Sequence, residues 1–200
     1  YSSSKGCAEL VTAAYRRSFF AAGEAQVASG RAGNVIGGGD FAEDRLVPDI
    51  VRGAAADQPI VIRNPESTRP WQHVLEPLSG YLLLARRLVE APAGHAEGWN
   101  FGPRDEDAIP ALAIAEKLVR VLGRGRLEVV PPALRGGPHE ARLLKLDTSK
   151  ARARLGWAPR LDIDRALTLT ADWYRAWLDD PSACRATTDA QIRGYGEFFA

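Results

Sequence analysis

Apolar positions recur at helical spacing along most of the chain, and short β-rich runs stand between the helical stretches. Over residues 3–20, Leu10, Val11, Ala14 and Phe19 or Phe20 form an apolar face with Arg16 and Arg17 opposite, and Gly23 stops the helix. Residues 26–36 read as one strand running into the turn Gly37-Gly38-Gly39-Asp40. A helix over 45–56 tolerates Pro48 in its first turn, and 59–63 is a short strand. Two prolines, Pro65 and Pro70, make 64–72 a loop ahead of a strongly apolar helix over 73–90. A strand over 99–101 stops at Gly102-Pro103, and Pro110 opens an amphipathic helix over 111–122. A strand at 127–130, a Pro/Gly loop at 131–140 and an extended run at 143–146 follow. Asp147 or Thr148 caps a short helix closed by Gly156. The spacing predicts a last long helix over 162–178, then a polar tail with room for one more helical turn at 195–199.

Helices alternating with short strands make an α/β protein. Two hundred residues allow one good-sized domain or parts of two. A hydrophobic content of 46%, a charged content of 26% and a formal net charge of +1 are those of an ordinary globular chain. They give no argument for nucleic acid or an anionic membrane as partner. No apolar run approaches the roughly 18 residues of a membrane span, and no signal peptide is visible. Cys7 and Cys184 are too far apart for a zinc motif and too few for a disulfide framework, so a reducing, cytoplasmic setting is expected. The chain contains no Met and begins with Tyr1, which reads as a cut or truncated start.

Tyr1 and Lys5 are four residues apart at the head of a helix and therefore share a face. A lysine ammonium beside a phenol favours the phenolate, which can take a proton from an alcohol. The same couple also fits a solvated helix face. In Arg31-Ala32-Gly33-Asn34-Val35-Ile36-Gly37-Gly38-Gly39-Asp40, small residues let a ligand approach the backbone, although a plain glycine turn has the same composition. The run does not match the G-x-G-x-x-G dinucleotide fingerprint. Arg45, Arg63-Asn64-Pro65 and Arg69-Pro70-Trp71-Gln72-His73 offer guanidinium groups suited to phosphate, or else a solvated loop around a packed tryptophan. His139-Glu140 has no second ligand cluster, so no metal site is expected. Leu155-Gly156-Trp157-Ala158-Pro159 reads as a helix stop and a proline-fixed turn.

In this order, Y-S-S-S-K, R-A-G-N-V-I-G-G-G-D, D-R-L-V-P-D-I, R-P-W-Q-H-V-L-E-P, W-N-F-G-P, H-E-A-x-x-L-K-L-D-x-S-K-A and L-G-W-x-P resemble the extended short-chain dehydrogenase/reductase family. Within it the chain most resembles the subgroup of nucleotide-sugar 4,6-dehydratases that act on CDP-glucose. The resemblance implies an α/β fold made of the C-terminal part of an NAD(P)-binding Rossmann fold plus a smaller α/β substrate-binding domain. Residues 1–57 would be the Rossmann remnant and the transition out of it. Residues 58–180 would mainly bind the nucleotide sugar, and 181–200 would be a tail.

The implied cofactor is NAD. The implied reaction turns CDP-glucose into CDP-4-dehydro-6-deoxyglucose and water, a step towards bacterial surface deoxysugars. Tyr1 would take the proton of the sugar 4-hydroxyl, and Lys5 would lower the phenol's pKa and hold the nicotinamide ribose. Ala32 and Gly33 would pass the nicotinamide. Asn34 and Arg69 would meet the diphosphate, and Arg45 and Leu46 would open a helix over the substrate. Pro59 and Val61 would line the base, and Asn100 and His139 would complete the nucleotide pocket. The family's glycine-rich cofactor loop has no counterpart in these residues. This leaves two other readings: a nucleotide-sugar-binding piece inactive alone, and a nucleotide-sugar 4-epimerase. The resemblance also implies a homodimer for the whole protein, with Leu10, Val11 and Phe19 either in that interface or in the core.

Overall fold

In the computed structural model, which describes residues 2–21, 23, 25–131 and 142–197, strand β1 (Ser29–Ala32) and strand β2 (Asn34–Ile36) are separated by Gly33 alone. They nevertheless belong to different sheets. β1 pairs in parallel with β5 (Gly98–Phe101), and β2 pairs in parallel with β4 (Thr68–His73). The single strand expected over 26–36 is therefore two. Gly33 permits the crossing: a Cβ there would stand 2.5 Å from the Pro70 carbonyl oxygen. Only glycine lets the two backbones pass so closely.

The loop expected over 64–72 is also corrected. Thr68–His73 is a strand, buried from Arg69 to His73. Its two ladders divide it. Trp71, Gln72 and His73 pair with β2, whereas Thr68, Arg69 and Pro70 pair antiparallel with the short β6 (Ala108–Pro110). Pro70 thus stands where one ladder ends and the other begins, so its missing N–H disturbs neither interior. A third sheet joins β3 (Pro59–Ile62) to β7 (Arg126–Val129) in parallel.

The larger core lies between α2 (Leu46–Ala55), α4 (Ala111–Leu122), α5 (Ile163–Asp179) and strands β2, β3 and β4. On α5 the buried residues Ile163, Ala166, Leu167, Thr170, Ala171 and Tyr174 follow helical spacing, and the Asp162 side chain caps the helix by accepting from the Arg165 N–H at 2.8 Å. On α4 the buried stripe is Ile114, Ala115, Leu118 and Leu122, and Gly123 closes the helix at φ 74°. Ile50, Ile114, Leu118 and Leu167 are fully buried, each contributing about 1.5–3 kcal/mol through the area removed from water. A second cluster joins Leu84 of α3 (Leu75–Glu90), Trp99 and Phe101 of β5, and Ala151, Leu155 and Trp157 around a wide helical turn.

Helix α1 (Ser2–Ser18) is tied to the β1–β5 pair by Ser29 Oγ donating to Glu9 at 2.7 Å and by Arg16 donating to the Ala96 carbonyl. Its apolar face is not covered: Leu10 is 72% exposed and Phe19 63%, with Val11 and Tyr15 also exposed. The polar tail is more ordered than its composition implies. Cys184–Gly196 forms helix α6, which packs on α5 and buries Tyr195. That phenol donates to Glu76 Oε2 at 3.0 Å, and the other carboxylate oxygen accepts from the N–H groups of Arg160 (2.9 Å) and Leu161 (2.7 Å).

Candidate functional site

The break between β1 and β2 opens a cleft of about 1080 Å³. Ala32, Gly33 and Asn34 form the kink itself. Lys5 reaches the cleft from the second turn of α1. Arg45 is the N-cap residue of α2 and Leu46 its first residue, so both face the cleft where that helix begins. Val61 projects from β3, half-exposed, while its neighbours Ile60 and Ile62 point into the core. Arg69 comes from β4, is 8% exposed, and donates to the Thr68 carbonyl at 2.9 Å.

Eight of the twelve candidate site residues thus line one cleft: Lys5, Ala32, Gly33, Asn34, Arg45, Leu46, Val61 and Arg69. Two do not. Pro59 lies at the far end of β3, opposite Arg126. Asn100 is on β5, where its amide donates to the Asp147 carbonyl at 2.9 Å, next to Leu146, which does line the cleft. The remaining two, Tyr1 and His139, lie outside the described residues.

The cleft is rich in charge of both signs. Arg45 Nη1 lies 3.0 Å from Asp40, Arg63 Nη2 2.8 Å from Asp44, and Arg31 Nε 3.8 Å from Glu9. These pairs are solvent-exposed, where an ion pair is worth about 0–1 kcal/mol. An entering anion can take over such a guanidinium at little cost. Asp44 holds Arg63 from a left-handed backbone position, φ 58°. The sequence singled out Arg63 without a specific role. The sequence shows Asp40 only as the end of a glycine turn and gives Asp44 no role, since only the folded loop brings them to the cleft.

Behind the kink stands His73, 1% exposed. Its Nδ1 accepts from the Leu75 N–H at 3.4 Å, so Nε2 carries the proton, with no acceptor among the described residues. Burial pushes its pKa down to about 4, so the ring is neutral at pH 7. No group of three or more His, Cys, Asp or Glu among the described residues is arranged to hold a metal ion. Nor is any described helix long and apolar enough to cross a membrane.

Over 183 residues the chain is 51% identical to the CDP-glucose 4,6-dehydratase of Salmonella typhimurium, covering 89% of this chain and 50% of that protein. The chain thus spans about half the length of that relative. Among solved structures, the dTDP-glucose 4,6-dehydratase of Bacillus anthracis in complex with NAD superimposes with a TM-score of 0.69 at 18% identity, over 94% of this chain and 54% of that one. The UDP-glucose 4-epimerase of Thermotoga maritima with UDP-glucose gives 0.64 at 19% identity, over 85% and 51%. At such identities the likeness is one of fold, and it agrees with the α/β class expected from the sequence. The family model described as the NAD dependent epimerase/dehydratase family matches residues 1–102. With more than half of its length matched by that model, the chain belongs to the NAD dependent epimerase/dehydratase family.

Proposed function

We propose that the protein of which this chain is part is a nucleotide-sugar 4,6-dehydratase that converts CDP-glucose to CDP-4-dehydro-6-deoxyglucose and water. The observation that carries the reading is convergence. Residues from α1, the β1–β2 kink, α2, β3 and β4 meet in one cleft, in a chain 51% identical to a CDP-glucose 4,6-dehydratase.

The reaction oxidises carbon 4 and reduces carbon 6 of the sugar. NAD, when bound, supplies the hydride acceptor and donor. Lys5, Ala32 and Gly33 fit a place beside it, because a glycine kink and an exposed ammonium line the same cleft. Tyr1 is the proposed proton acceptor at the 4-hydroxyl, with Lys5 one turn on favouring the phenolate. Asn34 and Arg69 bind the diphosphate by charge-assisted hydrogen bonds, and Arg45 opens the helix over the substrate. Leu46 covers the sugar, and the β3 strand from Pro59 to Val61 supports the base. Asn100 acts at one remove, holding the Asp147 carbonyl beside Leu146, and His139 completes the nucleotide pocket.

These 200 residues contain no dinucleotide fingerprint, and by themselves they bind nucleotide sugar without turning it over. The whole protein works as a pair of identical copies; the exposed apolar face of α1 supports that assembly. The test is an assay of the longest reading frame containing this chain, supplied with NAD and with CDP-glucose, dTDP-glucose or UDP-glucose in turn. A 4-keto product, formed fastest from CDP-glucose, is expected. A 4-epimer in its place, or no turnover of CDP-glucose, overturns the assignment.

A further inference from the structure

Segment 38–45 carries Asp40, Asp44 and Arg45 to the cleft, yet it belongs to no strand or helix. Its position is set from behind by α5. Gly38 lies flat against the indole of Trp173, so close that a Cβ would fall inside the ring's van der Waals surface. Gly39 turns the chain at φ 83°. Tyr174 then donates its hydroxyl to the Asp40 carbonyl at 2.6 Å. The Phe41 ring packs 4.9 Å from Trp177 and 5.9 Å from Tyr174.

Trp173 is itself fixed from the far side. Its indole N–H donates to Thr188 Oγ1 of α6 at 2.9 Å, and Gln191 of α6 donates to the Leu169 carbonyl at 2.7 Å. No described α6 residue lines the cleft. We propose that Trp173 and Tyr174, backed by Thr188 of α6, are positioning residues that set the charged rim 38–45 of the cleft. The C-terminal helix thereby tunes how tightly the cleft holds an anionic sugar nucleotide, and this rests on the reading that such a ligand is the substrate.

The test measures CDP-glucose affinity by calorimetry, and amide exchange of peptide 38–46, in this chain and three variants. Thr188→Val removes one hydrogen bond far from the ligand and weakens binding roughly three- to tenfold. It also speeds exchange in 38–46 while leaving α4 unchanged. Gly38→Ala pushes the rim off the indole and weakens binding roughly tenfold or more. Adding Trp173→Leu makes room for the new methyl, so the double variant loses less than Gly38→Ala alone. If Trp173 did not set the rim through this contact, the two losses would simply add. Unchanged affinity and unchanged rim exchange in both Thr188→Val and Gly38→Ala overturn the proposal. If the parent chain binds no nucleotide sugar, the substrate reading fails, and the exchange data still decide whether α6 sets the rim.

Discussion

Glu76 is fully buried and joins three parts of the chain that are distant in sequence. Truncating it to alanine removes the acceptor for the Leu161 N–H, the Arg160 N–H and the Tyr195 hydroxyl together. Of these, the Leu161 N–H and the Tyr195 hydroxyl belong to buried residues. A buried donor left without a partner costs roughly 1–3 kcal/mol. Tyr195 keeps Ser79 Oγ as a partner at 3.1 Å, so the Leu161 N–H is the buried orphan and Glu76→Ala should lose roughly 1–3 kcal/mol, or about 5 °C in Tm for a chain of this size. Urea unfolding followed by tryptophan fluorescence measures it, since Trp157 donates to Ser79, the other partner of Tyr195. Glu76→Gln, which keeps an acceptor oxygen for the backbone donors, should lose much less.

The pH dependence adds a second check. Burial, the largest influence, raises the Glu76 pKa above its ordinary 4.5, against the lowering effect of its hydrogen bonds. The folded state therefore binds the proton more tightly than the unfolded state. The contribution is complete below the unfolded pKa and is lost as pH rises through the raised folded one. The stability gap between the parent chain and Glu76→Gln should widen on acidification from neutral pH. A loss under about 1 kcal/mol for Glu76→Ala, or a gap that narrows in acid, would refute the reasoning.

His73 titrates in the opposite sense. Its folded pKa of about 4 lies below the ordinary 6.5, so stability is complete above 6.5 and falls towards pH 4; replacing His73 with Phe should flatten up to about 3 kcal/mol of that slope. NMR should find its Nε2-protonated ring untitrated above pH 5, and an ordinary imidazole titration would contradict the burial argument. Gly80→Ala drives a methyl into the Phe101 ring, so it should cost about 1–3 kcal/mol of stability in chemical denaturation; a neutral result would mean that α3 can move off β5.

The helices were legible because their patterns are long and their ends carry explicit signals. α4 matches its expected span residue for residue, with Gly123 as its stop. β4 was illegible because Pro65 and Pro70 read as loop formers, and only the change of ladder partner at Pro70 makes a strand compatible with it. Nor could the division of 26–36 be seen locally, because the close backbone approach that calls for Gly33 is to Pro70, more than thirty residues away. The same limit applied to the site. Motif resemblance named Lys5, Asn34 and Arg69, and all three line the cleft. Asp40 and Asp44 reach the cleft through a loop shaped by α5, a contact with no local sequence signature. The exposed face of α1 had two expected fates, core or interface, and in this chain it is not core.

The central claim is that the cleft around the β1–β2 kink receives a nucleoside diphosphate sugar through Arg69. Calorimetric titration of this chain and of Arg69→Ala with CDP-glucose, with dTDP-glucose and UDP-glucose as competitors, tests it most directly. The account predicts saturable binding that prefers CDP-glucose and weakens about tenfold or more when the charged hydrogen bonds of Arg69 are removed. Equal affinity in the parent chain and Arg69→Ala, or no binding to either, would contradict it.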